Sequence, residues 1–193
     1  MPRYFIAYKP YNVLTQFSDT QGRDTLKEAL HYDFPRDVYP VGRLDRDSEG
    51  LLFLTNNTRL NHRLLNPRFG HEREYWVEVE REPTPEALQA LRQGIRIKGH
   101  QCLPCTAERI DIPSLPDRDP PVRFRKNIST AWLRLILHEG KNRQVRKMTA
   151  AVGFPTLRLV RTRMENLTVG DLQPGEVREI TPQERQELLS RLR

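Results

Sequence analysis

Only two cysteines occur in the 193 residues, as Cys102-Leu-Pro-Cys105. This spacing suits half a zinc site or a redox pair, but no second pair and no histidine cluster accompanies it. Two reduced thiols in a loop are therefore expected. No apolar run approaches the length of a membrane span, so no membrane partner is expected. The opening Met1-Pro-Arg-Tyr-Phe-Ile-Ala7 lacks the shape of a signal peptide, because its apolar stretch is too short and begins a strand. A cytoplasmic protein follows. No phosphate-cradling glycine loop, dinucleotide fingerprint or complete metal-ligand set is present, so neither cofactor nor metal is expected. Internal repeats and low-complexity segments are missing too. An apolar content of 37% with 30% charged residues fits a globular chain with a large wet surface, long enough for one good core or two small lobes.

Acids are also scarce in one stretch. From Arg123 to Arg163 there are eleven Lys or Arg and a single acid, Glu139. That stretch carries +10 and the remainder −3, out of a net +7. Phe124, Trp132 and Phe154 are interleaved with the cations. Phosphates meeting guanidinium groups, with bases stacking on aromatics, would make this an RNA face. A solvated charged face is the plainer alternative.

Charge of both signs is dense in Gly42-Arg-Leu-Asp-Arg-Asp-Ser-Glu-Gly-Leu51, at the mouth of the apolar run Leu51–Thr55. Charges are placed at the edge of a core when chemistry or a charged ligand requires them, since desolvating them is costly. From the residues alone Asp45, Asp47 and Glu49 are all candidate acids. Ser48 has no base beside it and reads as a loop cap. A second charged segment, His138-Glu-Gly-Lys-Asn-Arg-Gln-Val-Arg-Lys-Met148, follows the strand-like run Ala131–Leu137. Asn142 is the expected N-cap of a helix running to about Val152, with Gly153 as its stop. Arg143 and Lys147 then share a face, and Arg146 points elsewhere. Cations in a first turn oppose the helix dipole, which suggests a compensating anion.

The remaining elements follow from periodicity and caps. Strands are expected at Arg3–Lys9, Val13–Phe17, Val38–Val41, Glu72–Glu80, Ile95–Lys98, Thr106–Ile112, Leu157–Arg161 and Val177–Ile180. Tyr75, Val77 and Val79 should share a face of theirs. Helices are expected at Thr25–Leu30, Thr58–Leu65, Pro85–Gln93 behind the N-cap Thr84, and from Thr181. The stretch Ile112–Pro121 holds four prolines and reads as a loop.

Four segments together resemble the pseudouridine synthases that modify bacterial ribosomal RNA. They are Tyr8-Lys-Pro-Tyr-Asn-Val-Leu14, Gly42 to Asn56, Arg73-Glu-Tyr-Trp-Val-Glu-Val79 and Glu139 to Met148. The runs Arg123–Leu133 and Val152–Arg161 are similar to a branch that acts on the large subunit. The resemblance implies an α/β (α+β) pseudouridine synthase fold: a mostly antiparallel bifacial sheet in two lobes, flanking helices and a central cleft. It implies one catalytic domain over 1–193, with no small RNA-binding module before it. Asn12 stands where many relatives have glycine and tolerates a left-handed backbone; Thr58 also replaces a frequent glycine.

The implied reaction detaches uracil from ribose, turns it and rejoins it through C5, without metal or nucleotide cofactor. By resemblance Asp45 is the catalytic carboxylate, attacking C1′ or removing the C2′ proton to give a glycal. Arg146 would hold Asp45, with Arg143 second. Tyr75 would stack on the flipped uracil and take the C5 proton. Arg43 would fill the gap left by the base or hold a phosphate. Arg125, Lys126, Lys141, Arg143 and Lys147 complete the expected RNA contacts. The expected partner is 23S ribosomal RNA or a large-subunit assembly intermediate, met by a monomer. Two other functions remain open: a non-catalytic RNA-binding assembly factor, and a glycosidase using Asp45 with Asp47.

Overall fold

The computed structural model describes residues 1–123 and 128–192. In chain order its elements begin with β1 (Tyr4–Lys9), α1 (Leu26–Ala29), β2 (Tyr39–Pro40), β3 (Glu49–Thr55) and α2 (Thr58–Leu65). A single 3₁₀ turn (Pro67–Phe69) leads to β4 (Arg73–Glu80), α3 (Pro85–Gln93), β5 (Arg96–Ile97), β6 (His100–Gln101) and β7 (Thr106–Ile110). Then come β8 (Thr130–Leu137), α4 (Gln144–Ala151), β9 (Thr156–Met164), β10 (Leu167–Thr168), β11 (Val177–Glu179) and α5 (Pro182–Arg191). This is a mixed α/β chain built on one large, mostly antiparallel sheet, as the sequence implied.

The sheet runs β11-β1-β3-β9-β4-β8-β7, with β2 on β3 and β10 on β9. One join is parallel: β3 meets β9 only through Glu49 opposite Val160 and Gly50 opposite Arg161. That short join separates two packed halves. In one half, Ile6, Tyr8, Leu51 and Phe53 pack with α2 and α5, while Phe5, Ala7, Leu52 and Leu54 pack against α1 on the other face. In the second half, Val77, Val79, Leu133 and Leu159 pack beneath α3 and α4. Strand β3 is buried along its whole length. A strand covered on both faces reads as a continuous apolar run, which is what Leu51–Thr55 is.

Local chemistry places the helices. Thr84 accepts from Ala87 N–H, Pro85 opens α3 and Gly94 ends it at φ 82°. Capping boxes close α1 (Thr25 with Glu28) and α5 (Thr181 with Glu184). Asn57 caps α2 from its side chain, so Thr58 is simply the first helical residue.

Three expectations change. Val13–Phe17 forms one bridge, Leu14 to Thr25, because the backbone turns at Gln16, whose N–H donates back to Leu14 C=O at 2.9 Å. Helix α4 is not capped by Asn142: Arg143 stands at the N-cap with φ 53° and makes no side-chain cap. Arg143 therefore lies outside the helix and shares no helical face with Lys147. Strand β9 extends to Met164, three residues past the expected end, through its pairing with β4.

Candidate active site

A hollow of about 610 Å³ opens at the β3–β9 join. Its first wall is the loop between β2 and β3. Gly42 turns this loop at φ 70°, and Ser48 N–H donates to Asp45 C=O at 3.0 Å. Thr15 clamps it twice: its hydroxyl donates to Leu44 C=O at 2.7 Å and accepts from Leu44 N–H at 3.2 Å. Lys9 pins it from below. The buried Nζ donates to the carbonyls of Pro10 (2.8 Å), Val13 (2.8 Å) and Arg46 (3.4 Å). Burial pushes the Lys9 amine down to about 7, against the opposing pull of Glu49, Asp47 and Asp45. Asn12 holds the adjoining turn at φ 66° and accepts at its C=O from Arg46 Nε at 3.3 Å.

Beneath the loop, Arg158 forms a bidentate pair with Glu49 at 2.8 and 3.0 Å, both buried, and donates to Pro116 C=O at 2.7 Å. The first of the charged loop's expected acids to be discounted is thus Glu49, which is spent on structure.

The second wall runs from Glu139 to Val145. Glu139 Oε1 accepts from Leu103 N–H (2.8 Å) and Gln144 Nε2 (2.6 Å), and Gln144 Oε1 accepts from Lys141 N–H (2.9 Å). These bonds shape the loop that carries Arg143 in its left-handed conformation. From there the Arg143 guanidinium reaches across the cleft to Asp47, with two bonds of 2.8 Å, and lies 3.7 Å from Asp45. Arg146 also serves Asp47, through Nη2 to its C=O at 2.5 Å and Nε to its carboxylate at 3.3 Å. Burial pushes the Asp47 carboxyl up, but Arg143 and Arg146 together hold it below its ordinary value.

The floor holds Arg73, Tyr75, Leu137, Leu159, Arg161 and Met164. Arg73 donates to the carbonyls of Leu64 (2.7 Å) and His71 (3.2 Å). Arg161 donates from Nε to Leu51 C=O at 2.9 Å.

The residues singled out in the sequence fall into distinct places. Asp45, Tyr75, Arg43, Lys141 and Arg143 all line this hollow. Arg146 stands behind it, on Asp47, and the ion pair with Asp45 comes from Arg143. Lys147 lines a separate hollow of about 350 Å³ and donates to Asn142 C=O at 2.5 Å. Arg125 and Lys126 lie outside the described residues. Ser48 does not cap the loop with its side chain; its buried Oγ meets no protein partner. The sequence reading missed Lys9, Thr15, Arg73 and Arg161. Lys9 and Arg73 lie inside the segments that carry the resemblance, so a charged residue within an apolar strand was the signal available.

The cysteines also look different in space. His100, Cys102 and Glu139 bring one potential metal-ligating atom each within 4.8 Å of one another. His100 is two residues from Cys102 and Glu139 is brought in by β8, a grouping the cysteine spacing did not suggest. Glu139 already serves Leu103, Gln144 and His100 (3.3 Å), and Cys105 donates its thiol to Leu91 C=O at 3.1 Å. Burial pushes both thiols up, Cys105 to about 11.

Residues 3–151 match the family described as RNA pseudouridylate synthase. The chain is 50% identical over 178 residues to ribosomal large subunit pseudouridine synthase E of Vibrio parahaemolyticus, covering 92% of this chain and 74% of that one. It is 49% identical over 173 residues to the protein of the same name from Xanthomonas campestris, covering 88% and 91%. A crystal structure of a pseudouridylate synthase superposes with a TM-score of 0.81 at 25% identity, over 97% of this chain and 74% of that one.

Proposed function

Because the chain belongs to the RNA pseudouridylate synthase family, we propose that it isomerises one uridine of 23S ribosomal RNA to pseudouridine, with Asp45 acting at the ribose. The observation that carries the site assignment is the division of labour between Asp45 and Asp47. Asp47 takes both bonds of Arg143, and Arg146 adds a hydrogen bond to its C=O and an ion pair to its carboxylate. Asp45 keeps one looser ion pair, at 3.7 Å, and lines the hollow with its side chain 30% exposed. A carboxylate locked in a bidentate pair is a poor nucleophile or base. One held loosely, beside a cation, suits either attack at C1′ or removal of the C2′ proton.

A uridine inside a folded RNA must be extruded before any group can reach its sugar, and a cleft of this volume accommodates a flipped nucleotide. Tyr75 on the floor supplies a ring for the extruded base to stack on. Arg43, Lys141 and Arg143 at the rim supply the phosphate contacts that position the strand. The isomerisation rearranges bonds within one nucleotide, so the side chains needed are a carboxylate, a ring and cations. All of them come from one chain, and we take the unit over 1–193 to be a single catalytic domain that works as a monomer.

The test is direct. Purified protein is incubated with protein-free 23S RNA and with large-subunit particles lacking the modification, and pseudouridine is mapped by chemical marking and reverse transcription. One new pseudouridine at a defined position is expected. Tight RNA binding with no modification of either substrate would leave an assembly factor as the better reading.

A further inference from the structure

Arg161 is 3% exposed on the floor of the cleft. Every other strongly buried arginine here is well provided for. Arg158 has the Glu49 carboxylate, and Arg73 donates to two carbonyls. Arg161 has no carboxylate partner among the described residues. Its Nε is spent on Leu51 C=O, and its Nη2, shielded from solvent, meets no acceptor in hydrogen-bonding geometry. A buried guanidinium without a carboxylate costs a fold several kcal/mol, on the order given for buried ions. Groups kept at such cost inside a cleft are candidates for function.

The partner that faces it is Tyr75. The two residues are opposite each other in the β4–β9 pairing, at a register shift between Glu74 and Tyr75 that re-aims the strand. Burial pushes the guanidinium down from its ordinary value and nearby Arg73 adds to that, while the Tyr75 hydroxyl opposes both. Arg161 is also tied to the exit of the charged loop. A Cβ on Gly50 would lie 2.3 Å from Arg161 C=O, so β3 rests directly on this residue. One side chain thus bonds the strand leaving the Asp45 loop and faces Tyr75 beside it on the floor.

We propose that Arg161 is a positioning residue that turns the hydroxyl proton of Tyr75 into the cleft, toward the base as it leaves the ribose. A guanidinium has donors and no acceptor. The phenolic oxygen facing it therefore accepts, and the phenolic proton points away from it. When the N1–C1′ bond breaks, its electron pair goes to the base and spreads over O2 and O4. The Tyr75 O–H donates to one of these oxygens and keeps its proton. The charge is discharged when a pair on C5 forms the new bond to C1′ as the C1′–Asp45 bond breaks, or as Asp45 returns its proton to C2′; transfer of the C5 proton to N1 then completes the product. A fixed dipole aimed where charge develops stabilises the transition state without reorganising. This inference rests on the cleft being a uridine isomerase site. It makes the Tyr75 hydroxyl a donor during detachment.

Arg161→Met and Arg161→Lys are made alone and in a Tyr75→Phe background. Single-turnover pseudouridine formation, RNA dissociation constant and thermal midpoint are measured for each. Arg161→Met is expected to lose about 100-fold in rate, with RNA affinity within about twofold and a midpoint lowered by no more than loss of the Leu51 hydrogen bond accounts for, because no ion pair is broken. Arg161→Lys should recover part of the rate. In the Tyr75→Phe background, Arg161→Met should change the rate by less than about threefold, since the hydroxyl it positions is gone. A full 100-fold loss in that background, or wild-type rate in Arg161→Met, overturns the proposal. Should Arg161→Met fail to fold, Arg161→Lys decides by the same comparison: its loss must vanish when Tyr75 is Phe. An inactive wild type would refute the uridine isomerase reading itself, before any variant is compared.

Discussion

Asp45 and Asp47 are two residues apart, yet their surroundings give them different tasks. Asp47 joins the two walls of the cleft, and Asp45 faces its interior. Asp45→Asn keeps the shape and removes the charge, so RNA binding should stay within about twofold while pseudouridine formation disappears. Turnover within about tenfold of wild type, roughly 1.4 kcal/mol of barrier, would remove Asp45 from the chemistry. Asp47→Asn should instead weaken the link between the walls, lowering the thermal midpoint as well as the rate. Lys9 offers a pH test. Its pKa falls from 10.5 in the unfolded chain to about 7 when buried. Between those values the folded state binds fewer protons than the unfolded state, so this residue adds stability as pH rises from 7. The stability of wild type minus that of Lys9→Met should climb from pH 7 to pH 9.5, by up to about 1.4 kcal/mol per pH unit. A flat or falling difference would mean that Lys9 keeps its charge in the fold.

At the scale of elements, the cleft depends on the two-residue join of β3 to β9. Gly50 sits there at φ 97°, and a Cβ would collide with Arg161 C=O and with Val160. Gly50→Ala should cost about 2–5 kcal/mol, from backbone strain together with overpacking. Its activity should fall further than its stability, because the strand that carries the Asp45 loop must move; equilibrium unfolding alongside rate measurement separates the two. The Glu49–Arg158 pair secures the same strand from below. Glu49→Ala leaves a buried guanidinium without its carboxylate and should cost about 3–5 kcal/mol. Glu49→Met with Arg158→Met should restore most of that loss. A double variant as unstable as the single one would show that the charges do more than neutralise each other.

For the whole molecule, part of the basic stretch of sequence is not free basic surface among the described residues. Arg134 pairs with Glu108 at 2.8 Å, Arg163 with Glu72 and Glu74 at 2.8 and 3.1 Å, and Arg158 with Glu49. Acids brought in by β3, β4 and β7 consume much of its charge. The cations lining the cleft include Lys141 from within the stretch and Arg43 and Arg46 from before it. RNA affinity should fall steeply with salt, and Arg43→Ala or Lys141→Ala should each reduce the salt slope by about one unit at most. Arg134→Ala and Glu86→Ala should leave the slope unchanged. Equal slopes for all four variants and wild type would move the RNA elsewhere. Exhaustive dialysis against a chelator should leave activity intact, since the proposed roles fall on Asp45, Tyr75 and the rim cations. A loss that only zinc restores would make His100, Cys102 and Glu139 a working site.

What the sequence determined by itself is local or carried by contiguous motifs. The cap at Thr84 acts over three residues and α3 appears where that signal places it, while α1 and α5 lie within the helices expected at Thr25–Leu30 and from Thr181. The unbroken apolar run at Leu51–Thr55 and the alternation through Tyr75, Val77 and Val79 mark β3 and β4, because burial leaves its period in the chain. The charged loop could be picked out for the same reason, since ionised groups beside a buried strand are costly. Only the tertiary structure decided which charges meet. The Arg143 bond to Asp47 spans 96 positions and depends on a left-handed arginine that no local pattern announces. Arg161 meets Tyr75 through a shifted strand register, and Glu139 meets His100 through the packing of a hairpin on a loop. Hydrogen bonds between near neighbours are written in residue order. Electrostatic partners are chosen by distance in space, which the register of β3, β9 and β4 sets.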